Sequence, residues 1–495
     1  MGKCAYDNKE RFDETKEFAM NNQAFVENDS VKKRKEKEKK ELDKWKKVKN
    51  KKPWKHYFLI LLFVVTVTYI VDELTSNING TIKTDVIRFF YNIIGSDVNS
   101  DEFNAASGNF FLLSLLLYSG VLLAPFYKSL ADKFGRRIFL AINTLGMALG
   151  MLICMLAPNL VVYLLGSMIM IFVTPNDFHV MYIMEVSPAK HRNKIASITK
   201  SIGLLSVSLL GFLRLAFVPD GAGPEAWRLV YLIPVILTAI VGVLSFFLVQ
   251  ETPVFVNKRI EYLELSDEER KQKEEETKKD ASKAQGSVKN AVKYIFQNKQ
   301  LRWIFIAGLL YALGSGATNY YESVFQLMGS QEAIGVAIVC FPIANAILTS
   351  VTGFISDKVG RKKAILFLGI AACVTLITYV LGAKLNLGGI VVGILYGIFI
   401  GCLYSASDIL YLVMPAESTP TNLRASVVGT MSLMLFVGTA ASWGVIIVFQ
   451  MIVKDWGIAS LATIPFLILA IVITLLKTKE TNGINLDTLT GKEFE

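Results

Sequence analysis

The chain has 495 residues, of which 53% are hydrophobic and 19% are charged. Soluble chains carry about 25% charged residues, and the few charges here are concentrated at the N-terminus and in one central segment. This composition excludes an ordinary soluble enzyme, a disordered chain and a disulfide-stapled secreted domain. The stretches between the charged regions are apolar runs of roughly 20 residues, the length that a helix needs to cross a bilayer. The sequence therefore predicts a polytopic α-helical membrane protein.

The first 55 residues form a polar tail that holds much of the net charge of +10. Its basic run from Lys32 to Lys40 is interleaved with acidic residues. Basic residues next to a membrane span attract anionic lipid headgroups and help to fix topology. We expect anionic lipids at the cytoplasmic face, and no nucleic acid, as partners of this tail, because no aromatic platform or nucleic-acid-binding motif accompanies the basic run.

Twelve apolar segments are long enough to span the membrane. They lie near residues 56–78, 106–127, 137–157, 160–184, 195–218, 228–250, 301–322, 333–355, 363–383, 389–412, 425–448 and 456–478. The connections on one side are rich in Lys and Arg, and those on the other are poor in them, apart from Lys83, Arg88, Lys384 and Lys454. Basic loops stay in the cytoplasm. The sequence therefore predicts a multi-pass protein of the cell membrane with both termini in the cytoplasm.

A polar segment, residues 251–300, separates the first six spans from the last six. It is rich in Glu and Lys, and opposite charges three residues apart, such as Glu268 and Lys271, suit exposed helices. The predicted divisions are an N-terminal tail at 1–55, a six-helix bundle at 56–250, a cytoplasmic helical linker at 251–300, a second six-helix bundle at 301–478 and a C-terminal tail at 479–495.

Two motifs occur once in each half of the chain. The sequence D-K-x-G-R-[RK] stands at residues 132–137 and again at 357–362, after the second and eighth spans. The sequence E-x-x-P-x-x-x-R stands at 185–192 and again at 417–424, after the fourth and tenth spans. Because both motifs recur at nearly the same offset, the two halves are predicted to be structural repeats.

The motif residues favour a role in gating. Gly135 and Gly360 suit tight turns, since glycine tolerates a positive φ. The acids and bases can pair with helix ends and with one another, and such pairs can hold one side closed in one state and break in another. A role as topology signals alone explains the Lys and Arg but not the shared Asp, Gly and Glu. The predicted gating residues are Asp132, Gly135, Arg136, Arg137, Glu185, Arg192, Asp357, Gly360, Arg361, Glu417 and Arg424.

These motifs resemble those of the major facilitator superfamily. The repeated D-K-x-G-R-[RK] resembles its signature loop, E-x-x-P-x-x-x-R resembles a motif of its sugar-porter and organic-ion branches, and Glu251-Thr252-Pro253 is similar to an acidic-Pro motif of sugar porters. The resemblance covers residues 56–478. It implies an all-α membrane protein with twelve transmembrane helices in two six-helix, pseudo-symmetric bundles, which move solute by rocker-switch alternating access.

The seventh and tenth spans depart from the sugar-porter pattern. The seventh lacks the glutamine pair of that branch, and the tenth lacks its Pro-x-x-Trp element. The motif that begins at Glu417 looks more like those of the organic-ion and metabolite branches. The substrate therefore stays open among these branches.

Asp72 and Glu73 in the first span are the predicted proton-coupling residues. A charged side chain inside a span costs roughly 2.5–3.5 kcal/mol, so each is a functional candidate. Superfamily sugar symporters resemble this chain in placing an Asp near this point, which implies proton coupling. The alternative for Asp72 is a static ion pair with Arg214.

The predicted substrate-binding residues are charged, amide, hydroxyl and aromatic side chains inside the spans, the groups that a solute pocket uses. They are Asp177, Arg214, Asn319, Tyr320, Tyr321, Glu322, Tyr404, Ser407, Asp408, Tyr411 and Trp443. Asp177 and Asp408 fall at nearly equivalent places in the two halves. They are expected either to bind the solute or to pair with basic residues in the turns. The uncharged residues are alternatively packing or interfacial residues.

The sequence predicts a monomeric, proton-coupled secondary active transporter of a small polar or charged organic solute. We expect no enzymatic activity, no cofactor and no metal, because phosphate-loop, hydrolase and metal-ligand motifs are missing from the sequence. Two alternatives stay open. An organic-cation facilitator or antiporter is favoured by the excess of acids in the spans, and a non-transporting solute sensor on a transporter scaffold is the other.

Replacement of Asp72 by Asn is expected to abolish accumulation of solute against a gradient while sparing exchange, because an amide cannot take up and release a proton. Uphill uptake and exchange in proteoliposomes measure the two activities separately. Unchanged uphill uptake would remove Asp72 from the coupling mechanism.

Overall fold

The computed structural model describes residues 33, 35–50, 56–118, 127, 130, 134–174, 178–187, 192–266, 268–270, 272 and 289–483. The chain divides into two compact units. One comprises Met1–Tyr57 with Glu251–Lys278, and the other comprises Phe58–Gln250 with Lys279–Glu495. The tail and the first part of the predicted linker thus belong to the same unit.

Ion pairs join the tail and the linker within the smaller unit. Arg259 lies 2.9 Å from Glu41, and Arg270 lies 2.6 Å from Glu38. The linker helix Pro253–Glu264 begins at Thr252, whose hydroxyl accepts a hydrogen bond from the backbone of Phe255. A hydroxyl cap followed by proline is a typical helix start, so the Glu251-Thr252-Pro253 motif begins the linker helix.

Helices long and apolar enough to span a membrane make up most of the larger unit. The helix α2 (Asp101–Tyr118) covers the first part of the predicted span 106–127. Of the rest of that span, only residue 127 is among the described residues. Eleven others meet the length and composition of a membrane span: α1 (Tyr57–Thr81), α3 (Arg136–Leu156), α4 (Leu160–Val186), α5 (Ile198–Phe217), α6 (Ala226–Leu248), α7 (Lys299–Asn319), α8 (Gln331–Thr352), α9 (Arg361–Lys384), α10 (Gly389–Glu417), α11 (Ser426–Val453) and α12 (Trp456–Lys477).

The observed helices follow the predicted spans with end differences of a few residues. One of the larger differences is at the end of α10, where a π-helical turn, Ile409–Val413, carries the helix on to Glu417. The described part of the chain contains no β-strand. We call the side where α1 begins and α12 ends the terminal side, and the opposite side the far side. The turns at Gly135 and Gly360 lie on the terminal side.

The repeated glycines adopt the predicted turn conformation. Gly135 has φ of 110° and Gly360 has φ of 92°, values that favour glycine because a Cβ is strained there. Gly360 both ends the helix Gln331–Val359 and precedes α9. One left-handed residue therefore reverses the chain between α8 and α9.

Glycines on α10 allow it to pack closely against α8. A Cβ added at Gly389, Gly393 or Gly397 would lie 2.2, 2.6 or 2.4 Å from the backbone oxygen of Ala333, Ala337 or Phe341. Both sets are spaced four residues apart, so one face of each helix forms the contact. This is the close approach that small residues permit in membrane helices.

The substitution Gly397→Ala is expected to lower the thermal stability of the purified protein, because the new methyl group would push α10 away from the α8 backbone. Gly429→Ala is the matched control, since a Cβ there meets nothing within 4 Å. Detergent-solubilised unfolding midpoints measure both. Equal midpoints for the two variants would contradict the close α8–α10 contact.

Candidate functional site

A cavity of about 480 Å³ lies among α1, α2, α4, α7, α10 and α11 of the larger unit. Pockets of roughly 300–1,000 Å³ suit small-molecule ligands. Both halves of the chain contribute helices at matching positions, α1 and α4 from the first half and α7 and α10 from the second. A solute bound here therefore contacts both repeats.

Six of the predicted substrate-binding residues line this cavity. They are Asn319, Tyr321, Tyr404, Ser407, Tyr411 and Trp443. The π-helical turn of α10 places Tyr411 against α7, where its hydroxyl donates to the backbone oxygen of Gly308 at 3.3 Å. π-helical turns commonly occur at functional sites, and this one redirects the end of α10 at the cavity.

An aromatic cluster holds the segment that follows α7. The last turn of α7 is a 3₁₀ helix, Ser315–Asn319, and a separate short helix, Tyr321–Phe325, follows it. Tyr321 stacks on Tyr396 of α10 with ring centroids 5.0 Å apart, and Phe325 packs against the same ring at 5.4 Å. These contacts fix the tyrosine at the cavity wall.

A polar stripe that runs from α1 to the start of the next short helix, Lys83–Phe90, lines the cavity and was missed from the sequence. It includes Thr75, Asn79 and, one turn further on, Lys83. Asn79 donates to the Ser167 hydroxyl at 3.1 Å and accepts from the Tyr231 hydroxyl at 2.6 Å. The four-residue spacing of these side chains was the available signal. Asn79 and Lys83 lie past residue 78, where the first span was predicted to end, and Lys83 was assigned to a loop.

The predicted proton-coupling residues lie off the cavity lining. Asp72 is 7% exposed. The Glu73 carboxylate accepts a hydrogen bond from Asn77 at 3.3 Å, and Asn77 lines the cavity. Glu73 is therefore one hydrogen bond away from the cavity lining.

Arg214 pairs with acids other than Asp72. Its guanidinium is fully buried and lies 2.7 Å from Asp85 and 3.4 Å from Glu322. The static ion pair between Asp72 and Arg214, which was the alternative role for Asp72, is therefore not formed in the structure. Arg214 and Glu322 were predicted to bind substrate, but neither is among the residues that line the cavity.

The remaining candidates also lie away from the lining. Tyr320 stacks on Trp456 with ring centroids 5.0 Å apart. Asp408 is exposed and does not line the cavity. Asp177 lies outside the described residues.

The repeated motifs form equivalent ion pairs on the terminal side. Arg136 lies 3.1 Å from Glu185 in the first half. Arg361 lies 2.8 Å from Glu417 in the second half, and its Nε also donates to both carboxylate oxygens. The first motif therefore pairs with the second in each repeat, with the charge-assisted hydrogen bonds that guanidinium and carboxylate favour.

Other predicted gating residues make different contacts. Arg137 donates to the backbone oxygen of Phe246, and Arg424 donates to that of Thr419 at 3.3 Å. Asp132 and the side chains of Arg192 and Asp357 are outside the description.

Glu480 joins the pair of the second half and was not predicted. Its carboxylate accepts from the backbone N–H groups of Arg361 and Lys362 at 2.8 and 3.0 Å. Burial opposes its charge, yet backbone N–H groups hold the pKa of Glu480 below its usual value. The next residue, Thr481, donates to Glu417 at 2.6 Å. The segment after α12 thus stabilises the turn at Gly360.

Arg361→Ala and Glu417→Gln are each expected to lower the initial rate of solute uptake at least tenfold, because each leaves a partly buried charge without its partner. The double variant should lose less than the two single losses combined, since contacting residues couple by about 0.5–3 kcal/mol. The control is the same set of substitutions at the pair Glu36 and Lys40, which are exposed and 3.0 Å apart. Exposed ion pairs contribute little to stability, so additive effects are expected there. Strict additivity at Arg361 and Glu417 would contradict a functional pair.

A protein-family model matches most of the chain. The model of the Major Facilitator Superfamily matches residues 78–443. The arabinose-proton symporter of Bacillus subtilis is 24% identical over 373 residues, covering 70% of this chain and 78% of the relative. The glucose transporter GlcP of Staphylococcus epidermidis is 25% identical over 355 residues, covering 66% of this chain and 76% of the relative.

Solved structures share the fold. The crystal structure of a D-xylose-proton symporter superposes with a TM-score of 0.63 at 15% identity, covering 86% of this chain and 99% of that one. The inward open conformation of the xylose transporter XylE from E. coli gives a TM-score of 0.59 at 16% identity, covering 88% and 99%. The predicted all-α fold of twelve transmembrane helices in two pseudo-symmetric bundles is confirmed.

Proposed function

The chain belongs to the major facilitator superfamily, and from this premise we propose that it carries a small neutral sugar across the membrane together with protons. It is a multi-pass membrane protein and a secondary transporter that works by alternating access. The sugar and the assignment of individual residues are the proposal.

The chemistry of the cavity lining is the observation that carries this proposal. The described lining consists of amides, hydroxyls, aromatic rings and apolar groups, with Lys83 as its one charged residue. Amides and hydroxyls both donate and accept hydrogen bonds, as sugar hydroxyls require. Aromatic rings such as Trp443 and Tyr404 offer apolar faces to a sugar ring.

The same lining disfavours the organic-cation alternative. The sequence suggested a cationic solute because acids outnumber bases in the spans, but Asp72, Glu73, Glu322 and Asp408 all lie off the lining. An organic cation would meet an ammonium group in the cavity and no carboxylate among its described residues. Like charges in a site of low dielectric constant repel.

The relatives support the proposed solute and coupling. The names of two describe an arabinose-proton symporter and a glucose transporter. These names also speak against a non-transporting sensor. We propose that this chain shares their class of solute and uses a proton gradient.

Glu73 is the carboxylate better placed to couple the proton to the solute. Its partner Asn77 lines the cavity, so the state of the carboxylate changes which hydrogen bonds Asn77 can offer. Asp72, one residue earlier, points to a different face of the helix. Both stay proposed coupling residues, with Glu73 acting at the cavity.

The remaining parts of the proposal concern topology, lipids, oligomeric state and gating. We propose cytoplasmic termini, anionic lipids at the cytoplasmic face, a monomer without enzymatic activity, and gating by the motif residues. The basic tail supports the orientation and the lipids. The ion pairs Arg136–Glu185 and Arg361–Glu417 each lie within one half, so they support gating in which each half moves as a braced bundle.

Uptake by proteoliposomes tests the function. We expect D-xylose, L-arabinose or D-glucose to accumulate when a proton gradient is imposed, and a protonophore to abolish the accumulation. Glu73→Gln should remove accumulation and keep exchange, whereas Thr378→Ala, on the exposed face of α9, should keep both. Uptake of tetraethylammonium that follows membrane potential alone, without sugar uptake, would contradict the proposal.

A further inference from the structure

Four charged residues meet at the far side of the cavity. Arg214 is fully buried and pairs with Asp85 at 2.7 Å and with Glu322 at 3.4 Å. Lys83 lies two residues before Asp85 and contacts Asn319 and Tyr320, which stand just before Glu322 in the chain. We call Lys83, Asp85, Arg214 and Glu322 the four-charge cluster. Two positive and two negative charges balance, as charges removed from water require.

The cluster connects the two halves of the transporter. Lys83, Asp85 and Arg214 belong to the first half, and Glu322 belongs to the second. Arg214 also donates to Gln331 of α8 at 2.7 Å. The backbone N–H of Thr84 donates to Glu322 at 3.0 Å, and the Thr84 hydroxyl donates to the same carboxylate oxygen. The carboxylate of Glu322 is thus held by groups from the opposite repeat.

The ion pairs on the terminal side have a different arrangement. Arg136 pairs with Glu185 inside the first half, and Arg361 pairs with Glu417 inside the second. Each of these pairs can therefore persist when the halves separate on that side. The contacts of Glu322 with Arg214 and Thr84 cannot persist when the halves separate on the far side, because they cross from one half to the other. The contact of Lys83 with Asn319 crosses in the same way.

Lys83 connects the cluster to the cavity. Its Nζ donates to the backbone oxygen of Asn319 at 3.4 Å and lies 3.8 Å from the ring centroid of Tyr320. Asn319 and Lys83 both line the cavity, whereas Arg214, Asp85 and Glu322 do not. A solute hydroxyl that accepts a hydrogen bond from Lys83 competes directly with this link between the start of the helix Lys83–Phe90 and the end of α7.

We propose that the four-charge cluster holds the far side closed, and that Lys83 is the positioning residue through which a bound solute weakens this closure. A ligand shifts a conformational equilibrium only through contacts that differ between the states. The contact of Lys83 with Asn319 exists only while the halves are joined, so replacing it with a solute contact removes one link across the interface. This inference rests on the proposed function for the identity of the solute, and the closure itself does not depend on it.

Side-specific labelling tests the closure. Ser76 lines the cavity. In a Ser76→Cys variant, a membrane-impermeant maleimide added from the far side would report access to the cavity. Labelling of the parent chain, which has five cysteines of its own, is subtracted as background. We expect Glu322→Gln to speed this labelling at least tenfold, because this isosteric change removes the one charge that the second half contributes to the cluster. Lys384→Gln is the matched control, since its pair with Asp455 at 2.7 Å lies within the second half. Unchanged labelling in a folded Glu322→Gln variant would overturn the proposal.

The response to solute tests the part assigned to Lys83. D-xylose should lengthen the distance between spin labels at Gly223 and Leu387, which lie on the far side in different halves and off the cavity lining. In the Lys83→Gln variant this response should disappear, and Lys83→Arg should restore part of it. A purely structural lysine would alter thermal stability and leave the response to xylose intact, which would overturn the role of Lys83. If no sugar is bound or transported, the proposed function fails, while the labelling of Glu322→Gln without solute still tests the closure.

Discussion

The structure depends on the requirement that each charge buried within a membrane protein be compensated. Arg214 has no exposed surface, and it lies in α5, close to the far side. It meets this requirement with two carboxylates and with the backbone oxygen of Thr81 at 2.6 Å. Because Glu322 comes from the second repeat, compensation of this charge also joins the halves. The contact with Glu322 therefore both compensates the charge of the buried arginine and holds the far side closed.

The duplicated architecture gives the two sides different mechanical roles. On the terminal side the same turn, the same left-handed glycine and the same Arg–Glu pair appear once in each half. Each repeat is therefore stiffened within itself. On the far side several polar contacts run between repeats, including the pair Arg214–Glu322 and the amides of Gln450 and Asn104 at 2.7 Å. Two stiff bundles with breakable contacts at one side fit rocking about a central cavity.

The fold was predictable because its signals are long and repeated. Apolar runs fixed the spans to within a few residues, and the two recurrent motifs indicated the duplication. The positive φ of Gly135 and Gly360 followed from the residue type and the short turn. The end of α10 was predicted at residue 412, whereas the π-helical turn Ile409–Val413 carries the helix on to Glu417.

The site was predictable only in part. Aromatic and amide residues of α7, α10 and α11 were found because polar groups are rare in such spans. Asn79 was missed because it lies just past residue 78, where the first span was predicted to end. The partners of Arg214 depend on which helices meet in space, so Asp85, assigned to a loop from the sequence, was not a candidate. The contact of Glu480 with the turn at Gly360 brings together segments about 120 residues apart, which no local pattern reports.

Paired distance measurements between spin labels test the rocking of the two halves most directly. One pair at Gly223 and Leu387 reports the far side, and one at Phe134 and Val359 reports the terminal side. The account predicts opposite changes, with a longer far-side distance and a shorter terminal-side distance when D-xylose and protons are added. Distances that change in the same direction on both sides, or that stay fixed in a protein active in uptake, would contradict it.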